Sequence, residues 1–341
     1  MTLRIALNGY GRVGRSFVRA LVAGESNQGD RAPAVQLVAI NDLGEPEDLL
    51  YLTRYDSTHG PYPGPVELLD GVLRIGNQTP VLLSEAEPQR LPWKELEVDL
   101  VLECTGAFRG YDGAALHLEA GAARVLIGAV AFDRADAWPV YGVNHEDLAA
   151  DQRILSAASC TTHAVAPMLA ELDEQFGIRD VILTEVHAYT SDQALLDHVH
   201  RDPRRGRAAA QNIVPTTSSA IGAVQQVLPR LAGRISGGSI RVPTLNVAMV
   251  DLTLRLEADM PDTEAVNELF AQAAARQPRL IGYNAEPLVS VDFNHRSESV
   301  IFDATRTLVQ GDLLRVGGWY DNEWGFANRL LDLVGWLGER H

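Results

Sequence analysis

The stretch Leu3-Arg4-Ile5-Ala6-Leu7, running into Asn8-Gly9-Tyr10-Gly11-Arg12-Val13-Gly14-Arg15, leaves this chain few folds to adopt. A short apolar strand meets Gly-x-Gly-x-x-Gly, and a helical pattern through Phe17, Val18 and Leu21 follows. In that setting each glycine has its own use. Gly9 permits the tight turn, Gly11 lets backbone approach a pyrophosphate, and Gly14 lets helix and strand pack closely. Turns need glycines for other reasons too, so the motif alone does not decide function. The second strand-like run, Val35 to Ile40, ends in Asn41-Asp42. A carboxylate there can accept hydrogen bonds from the adenosine ribose and would repel a 2′-phosphate, favouring NAD over NADP. An Asp at that point also suits a helix cap. The gap from Gly14 to Asp42 exceeds the usual ~20 residues, and a polar, turn-rich insert from Gly24 to Pro33 accounts for the excess.

Runs at Val81 to Leu83, Val98 to Glu103 and Val125 to Ile127 extend the same sheet, and Thr105-Gly106 offers another loop at the cofactor or a plain turn. The length of 341 residues suits about two domains, and 46% hydrophobic residues suffice for real cores. The texture changes after residue 150. Strands are expected at Asp180 to Val186, Arg241 to Val247 and Met249 to Leu256, and an amphipathic helix at Asn328 to Leu337.

The second informative stretch is Ser156-Ala157-Ala158-Ser159-Cys160-Thr161-Thr162-His163. It places one of only two cysteines at a turn before a helical pattern through Ala166, Leu169, Leu172 and Phe176 that Gly177 closes. A thiol at a helix start lies beside unpaired N–H groups and the positive end of the dipole, which favours thiolate. A lone cysteine is often only a packed core residue. Polar neighbours and the later His187-Ala188-Tyr189-Thr190 make Cys160 a candidate nucleophile with His187 as its base. The other cysteine, Cys104, ends a buried-strand pattern, so a reduced protein is expected rather than a disulfide.

The formal net charge of −16 argues against nucleic acid and anionic membrane surfaces as partners. The chain opens on a strand pattern rather than an export signal and has no apolar run of about 18 residues, so a cytoplasmic protein is expected. Against that acidic background, His200-Arg201-Asp202-Pro203-Arg204-Arg205-Gly206-Arg207 is basic. It reads as a solvated loop or as an anion site, since Arg grips phosphate bidentately. No metal site is expected.

Together these blocks resemble the glyceraldehyde-3-phosphate dehydrogenase family over essentially the whole chain. The resemblance rests on Asn8 to Arg15, Ser159 to Thr162, His187 to Thr190, Arg204 to Ile213, Arg241-Val242-Pro243-Thr244 and Tyr320-Asp321-Asn322-Glu323-Trp324. It implies an α/β protein: an N-terminal Rossmann NAD-binding domain over 1–158, an α+β catalytic domain with a mixed sheet over 159–323, and a C-terminal helix, 324–341, returning to the first domain. It implies a homotetramer acting on a small phosphorylated aldehyde and inorganic phosphate. Cys160 would attack the aldehyde and His187 would take the proton, leaving a thioester after hydride transfer to NAD; phosphate would then release an acyl phosphate. Thr190 and Arg241 match the substrate-phosphate site. Ser159, Thr161, Arg205, Ser218 and Ser219 match the inorganic-phosphate site. Asn8, Gly9, Gly11, Arg12, Val13, Gly14, Asp42, Thr105 and Asn322 match cofactor contacts, Asn322 the one that orients the nicotinamide amide.

The family usually ends its second phosphate loop Thr-Gly where this chain has Ser218-Ser219, which keeps a hydroxyl but adds a side chain. Leu91 to Leu96, Val289 to His295 and Trp324 to Arg329 look closer to the erythrose-4-phosphate dehydrogenase branch, in which water takes the thioester. A phosphorylating glyceraldehyde-3-phosphate dehydrogenase is the first expectation and the erythrose enzyme the second. An NAD-binding, redox-sensing scaffold with weak catalysis is an alternative of another class.

Overall fold

The computed structural model describes residues 2–27 and 35–340, and these form two compact units: Met1–Ala158 with Ala327–His341, and Ser159–Phe326. The first unit is built on an eight-stranded sheet. Its strands are β1 (Leu3–Asn8), β2 (Val35–Asn41), β3 (Val66–Leu69), β4 (Val72–Ile75), β5 (Val81–Leu83), β6 (Leu100–Glu103), β7 (Arg124–Ile127) and β8 (Ile154–Ser156). Helices α1 (Arg12–Asn27), α2 (Pro46–Arg54) and α3 (Tyr111–Glu119) belong to the same unit. The order is β3-β4-β5-β2-β1-β6-β7-β8, with every pair from β5 to β8 parallel. The chain builds outward from β1 in one direction through β2 and β5, then in the other through β6, β7 and β8. The direction reverses between β1 and β6, and a doubly wound sheet opens its ligand crevice beyond the carboxyl ends of such strands. Trp93, Val98, Val101 and Ala6 form one buried cluster of this unit, and Val125, Ile127, Ala114 and Ile154 another.

Two features of this unit differ from the sequence expectation. Helix α1 continues through Gly24 to Asn27, so the insert does not begin at Gly24; its remainder, residues 28–34, lies outside the described residues. The β3–β4 hairpin was not anticipated. Asp70 and Gly71 turn it with φ of 51° and 75°, the backbone that a two-residue Asp-Gly hairpin turn needs.

The second unit opens with α4 (Cys160–Phe176) and continues with β9 (Ile178–Ala188), β10 (Val214–Thr216), α5 (Ala220–Val227), β11 (Ile235–Val242) and β12 (Ala248–Leu256). Then come α6 (Thr263–Arg276), β13 (Ile281–Asn284), β14 (Val300–Asp303), β15 (Leu308–Gln310), β16 (Leu313–Tyr320) and α7 (Trp324–Glu339), whose residues from Ala327 onward are counted with the first unit. The sheet order is β10-β11-β9-β12-β16-β14-β13, with β15 paired to β16. It is mixed: β9 pairs parallel with β11 and antiparallel with β12. Among the described residues no helix is long and apolar enough to cross a membrane.

The strand expected at Arg241 to Val247 is corrected. The strand runs from Ile235 and stops at Val242, because Pro243 has no N–H to give a ladder. It starts six residues earlier than expected, at Ile235 rather than Arg241. Gly237 has φ +150°, and a Cβ there would lie 1.9 Å from the Leu183 carbonyl oxygen. A side chain at that point must push β11 off β9. Gly237→Ala is therefore expected to cost more than about 3 kcal/mol, lowering Tm by roughly 6 °C or more in a calorimetric scan. A shift under about 2 °C would contradict this account of the strand pair.

Candidate active site

In the first unit the glycine loop has the geometry a pyrophosphate needs. Gly9 sits at φ +94°, and a Cβ there would lie 2.5 Å from the backbone nitrogen of Thr105. A Cβ on Gly14 would lie 2.5 Å from the Gly9 carbonyl oxygen, whereas one on Gly11 would meet nothing within 4 Å. Two glycines thus serve close packing, and Gly11 leaves open space before Arg12 and Val13, which begin α1. No acidic residue occupies the first turn of that helix, so its N–H groups keep their affinity for an anion. The Arg12 side chain is paired with Asp56, at 3.0 Å, leaving its backbone as the element beside the loop. Asp42 does not cap α2. Its carboxylate accepts from Tyr10 N at 2.7 Å and Gly44 N at 2.9 Å, fixing the acidic group at the end of β2.

Behind the loop lies a buried polar chain. Trp93 Nε1 donates to His117 Nδ1 at 3.0 Å, so the His117 proton is on Nε2, which donates to Glu103 Oε2 at 3.1 Å. The same oxygen accepts from Asn8 Nδ2 at 2.6 Å, and Glu103 Oε1 accepts from Thr105 N at 2.7 Å and from the Thr105 hydroxyl. Asn41 Nδ2 donates to Asn8 Oδ1 at 2.6 Å. The Asn8 side chain is thereby spent inside the protein, holding the ends of β1, β2 and β6 in place. Glycines, Asp42 and a free helix start fit NAD.

In the second unit Ser159 caps α4: its hydroxyl accepts from Thr162 N at 3.0 Å. Ala158 precedes it at φ +54°, a left-handed turn that few non-glycine residues adopt. Cys160 is the first helical residue, so its N–H has no intrahelical acceptor. The base comes from β9, whose core face reads Val181, Leu183, Glu185, His187 at every second position. The apolar core becomes polar at the strand's carboxyl end. There His187 Nε2 stands 3.6 Å from Cys160 Sγ.

The tautomer follows from the other nitrogen. His187 Nδ1 lies 2.6 Å from the Ala188 carbonyl oxygen, which can only accept, so Nδ1 carries the hydrogen. Nε2 is then the lone-pair nitrogen facing the thiol, the arrangement of a base. Arg241 Nη1 lies 3.1 Å from Nδ1 and 3.4 Å from the Ala188 oxygen. With Nδ1 protonated, Arg241 bonds the carbonyl and acts on the imidazole by charge alone. Strand register explains the meeting, for Arg241 is the β11 partner of His187 and Ser239 that of Glu185.

Glu185 and Tyr320 were absent from the sequence-derived site. Glu185 is 2% exposed. Its Oε1 accepts from the Thr161 hydroxyl at 2.8 Å, 3.7 Å from His187 Nε2 and 4.0 Å from Arg241 Nη2. Tyr320 Oη lies 2.8 Å from the Thr161 hydroxyl oxygen. Glu185 could have been found from strand alternation, since residues two apart share a face.

The remaining expected anion ligands divide. Arg205 Nη2 donates to the Thr217 carbonyl at 3.1 Å, which joins the basic run to the loop carrying Ser218 and Ser219. Its other nitrogens face Asp192 at 3.0 Å and Asp202 at 3.3 Å. The Ser218 hydroxyl accepts from Ala220 N at 3.3 Å, and Ser219 is an exposed residue at the start of α5. Thr190 follows β9 where Tyr189 N bonds the Thr244 carbonyl at 3.2 Å, beside the end of β11. Asn322 is buried in the turn after β16 with Oδ1 unpartnered.

The expected thiolate is corrected. Burial pushes the Cys160 thiol up to about 12 and Glu185 adds to that, outweighing Arg241 and Thr161, which oppose it. Burial and Arg241 lower His187 to about 4, against Glu185 and the Ala188 carbonyl, which raise it. At neutral pH the pair is a thiol and a neutral imidazole. Alkylation of Cys160 by iodoacetamide should therefore climb about tenfold per unit between pH 7 and 9. A plateau already reached below pH 7 would reveal a preformed thiolate.

Two family models match the chain: the NAD binding domain of glyceraldehyde 3-phosphate dehydrogenase over residues 3–111, and the C-terminal domain of that enzyme over residues 159–322. A glyceraldehyde-3-phosphate dehydrogenase of Pseudomonas aeruginosa is 48% identical over 332 residues, with 97% of each chain covered. The chromosomal glyceraldehyde-3-phosphate dehydrogenase of Cupriavidus necator is 44% identical over 333 residues, again with 97% of each covered. That of Xanthobacter flavus is 45% identical over 341 residues, with 99% of each covered. With a doubly wound sheet, a glycine loop shaped for NAD and a cysteine facing a histidine, the chain belongs to the glyceraldehyde-3-phosphate dehydrogenase family.

Proposed function

We propose that this protein is an NAD-dependent dehydrogenase that oxidises glyceraldehyde 3-phosphate through a thioester on Cys160. The observation that carries the reading is Cys160 Sγ at 3.6 Å from His187 Nε2, with the tautomer set by the Ala188 carbonyl. A scaffold without chemistry needs neither the pair nor the tautomer.

His187 accepts the thiol proton as Sγ attacks the aldehyde carbon, giving a hemithioacetal. The Cys160 N–H, left free by its position at the helix start, stabilises the oxyanion. The imidazolium returns the proton to that oxygen, and His187 accepts it again as the hydride leaves the hemithioacetal carbon. NAD, when bound, supplies the acceptor for the hydride, and the product on the protein is a thioester. Arg241 and Thr190 hold the substrate phosphate, and Arg205 with Ser218 and Ser219 serves the second anion, inorganic phosphate. Asn322, with a buried and unpartnered Oδ1, orients the nicotinamide amide. Residues 1–158 with 324–341 act as the cofactor domain and 159–323 as the catalytic domain.

We further read the protein as a cytoplasmic homotetramer. The support is an apolar strip on the segment after β9, where Leu195, Leu196 and Val199 are 75%, 75% and 91% exposed. Apolar residues so concentrated on one loop suit burial against another subunit.

NADH formation with glyceraldehyde 3-phosphate should be abolished in Cys160→Ser. In His187→Asn it should fall by about 10²–10⁴-fold. Arg241→Ala should raise the KM of the phosphorylated aldehyde at least about tenfold, with a smaller effect on unphosphorylated glyceraldehyde. Equal losses with both aldehydes would remove Arg241 from the phosphate site.

A further inference from the structure

We propose that Glu185 selects the acyl acceptor of the Cys160 thioester: its buried carboxylate disfavours inorganic phosphate and lets water compete. The inference rests on the thioester reading above, and three observations carry it.

The first is the placement of the charge. Glu185 sits on the interior strand β9, on the same face as His187, and its Oε2 is buried with no protein partner. The unpartnered oxygen belongs to a residue only 2% exposed. A buried carboxylate oxygen without a donor is costly, so it takes a donor from whatever enters and resists a second anion. Ser239, its register partner on β11, also has a buried hydroxyl without a protein partner. A small neutral donor such as water satisfies both groups.

The second is the state of Thr161. A hydroxyl has one proton, and the Thr161 proton goes to Glu185 Oε1 at 2.8 Å. Tyr320, 2.8 Å away, must then donate to Thr161 rather than accept from it. Thr161 is one of the residues matched to the inorganic-phosphate site, and it has no proton left for a phosphate oxygen.

The third is charge balance. Arg241 Nη2 lies 4.0 Å from Glu185 Oε1, so the cation nearest the Cys–His pair already faces an anion. A phosphate dianion brought to Thr161 would meet the Glu185 charge a few ångströms away, out of the solvent that would screen it. Water carries no such penalty.

In the hydrolytic step the water oxygen bonds to the thioester carbon and His187 takes one of its protons. The carbon–sulfur bond breaks with its electron pair going to Sγ, which recovers the proton from His187. The products are the free acid and the Cys160 thiol, and no further reactant is needed. Glu185 is a positioning residue in this step: it favours the transient imidazolium and sets which acceptor reaches the carbon.

The test uses the full-length protein and two variants. Glu185→Gln keeps the shape and an acceptor for Thr161 without the charge, and Glu185→Thr places a β-branched residue suited to a strand. NADH formation from glyceraldehyde 3-phosphate is followed over a range of inorganic phosphate, with acid and acyl phosphate products separated. The unsubstituted protein is expected to form NADH and free acid without phosphate. Both variants should lower the KM for phosphate at least about tenfold and shift product towards acyl phosphate. In a second arm without aldehyde, inorganic phosphate should slow iodoacetamide labelling of Cys160 at lower concentration in the variants. Active protein whose phosphate KM and phosphate protection are the same with and without Glu185 overturns the proposal. Shifted protection with no NADH from the aldehyde in any form would uphold the exclusion of phosphate and overturn the dehydrogenase reading.

Discussion

The proposed chemistry depends on one hydrogen bond, from His187 Nδ1 to the carbonyl oxygen of Ala188 at 2.6 Å. It decides which nitrogen is the base. The other tautomer would point an N–H at the Cys160 sulfur and leave the thiol nowhere to send its proton. The bond is available because β9 ends at Ala188, so the side chain of His187 can turn back on the carbonyl of its own neighbour. The same strand end brings Arg241 alongside through the β9–β11 register, and that register requires Gly237 where a Cβ would strike Leu183. A structural glycine and a catalytic tautomer are thus parts of one arrangement.

The proposed nucleophile and base are not charged in advance. Burial keeps the proton on sulfur and off the imidazole, and Glu185 holds the thiol up while favouring the protonated imidazole. Such a site spends its charge separation during attack rather than before it. The second cysteine shows the contrasting case. Cys104 is free and its thiol is pushed well up by burial and by Glu103, with no facing base described for it. Its neighbour Glu103 takes part in the chain from Trp93 through His117 to Asn8 and Thr105, so both oxygens of that carboxylate accept hydrogen bonds. Glu185, with one oxygen unpartnered, does not. Two buried carboxylates in one chain thereby differ in kind: one holds a loop in place, the other remains open to a ligand.

Local signals were legible in the sequence. Gly9, Gly11 and Gly14 announced a strand–turn–helix because each satisfies a backbone need within a few residues. Ser159 before Cys160 announced a helix start, and Gly177, at φ 66°, its end. What depended on tertiary placement was not legible. The register that sets Arg241 beside His187 joins residues 54 apart in sequence, and Pro243 rather than side-chain pattern set the end of β11. The thiol's protonation was misjudged because the helix start is a local effect and burial is not. Glu185 lay in plain view two residues before His187, but its meaning needed Thr161, Tyr320 and Arg241 around it.

The central claim is that Cys160, and not Cys104, carries the acyl group. The direct measurement is peptide mass mapping after acid quench of the protein mixed with glyceraldehyde 3-phosphate and NAD, without phosphate. The account predicts an acyl adduct on the peptide containing Cys160, removed by hydroxylamine and formed together with NADH. NADH formed at an undiminished rate by Cys160→Ser, or an adduct on Cys104 instead, would contradict it.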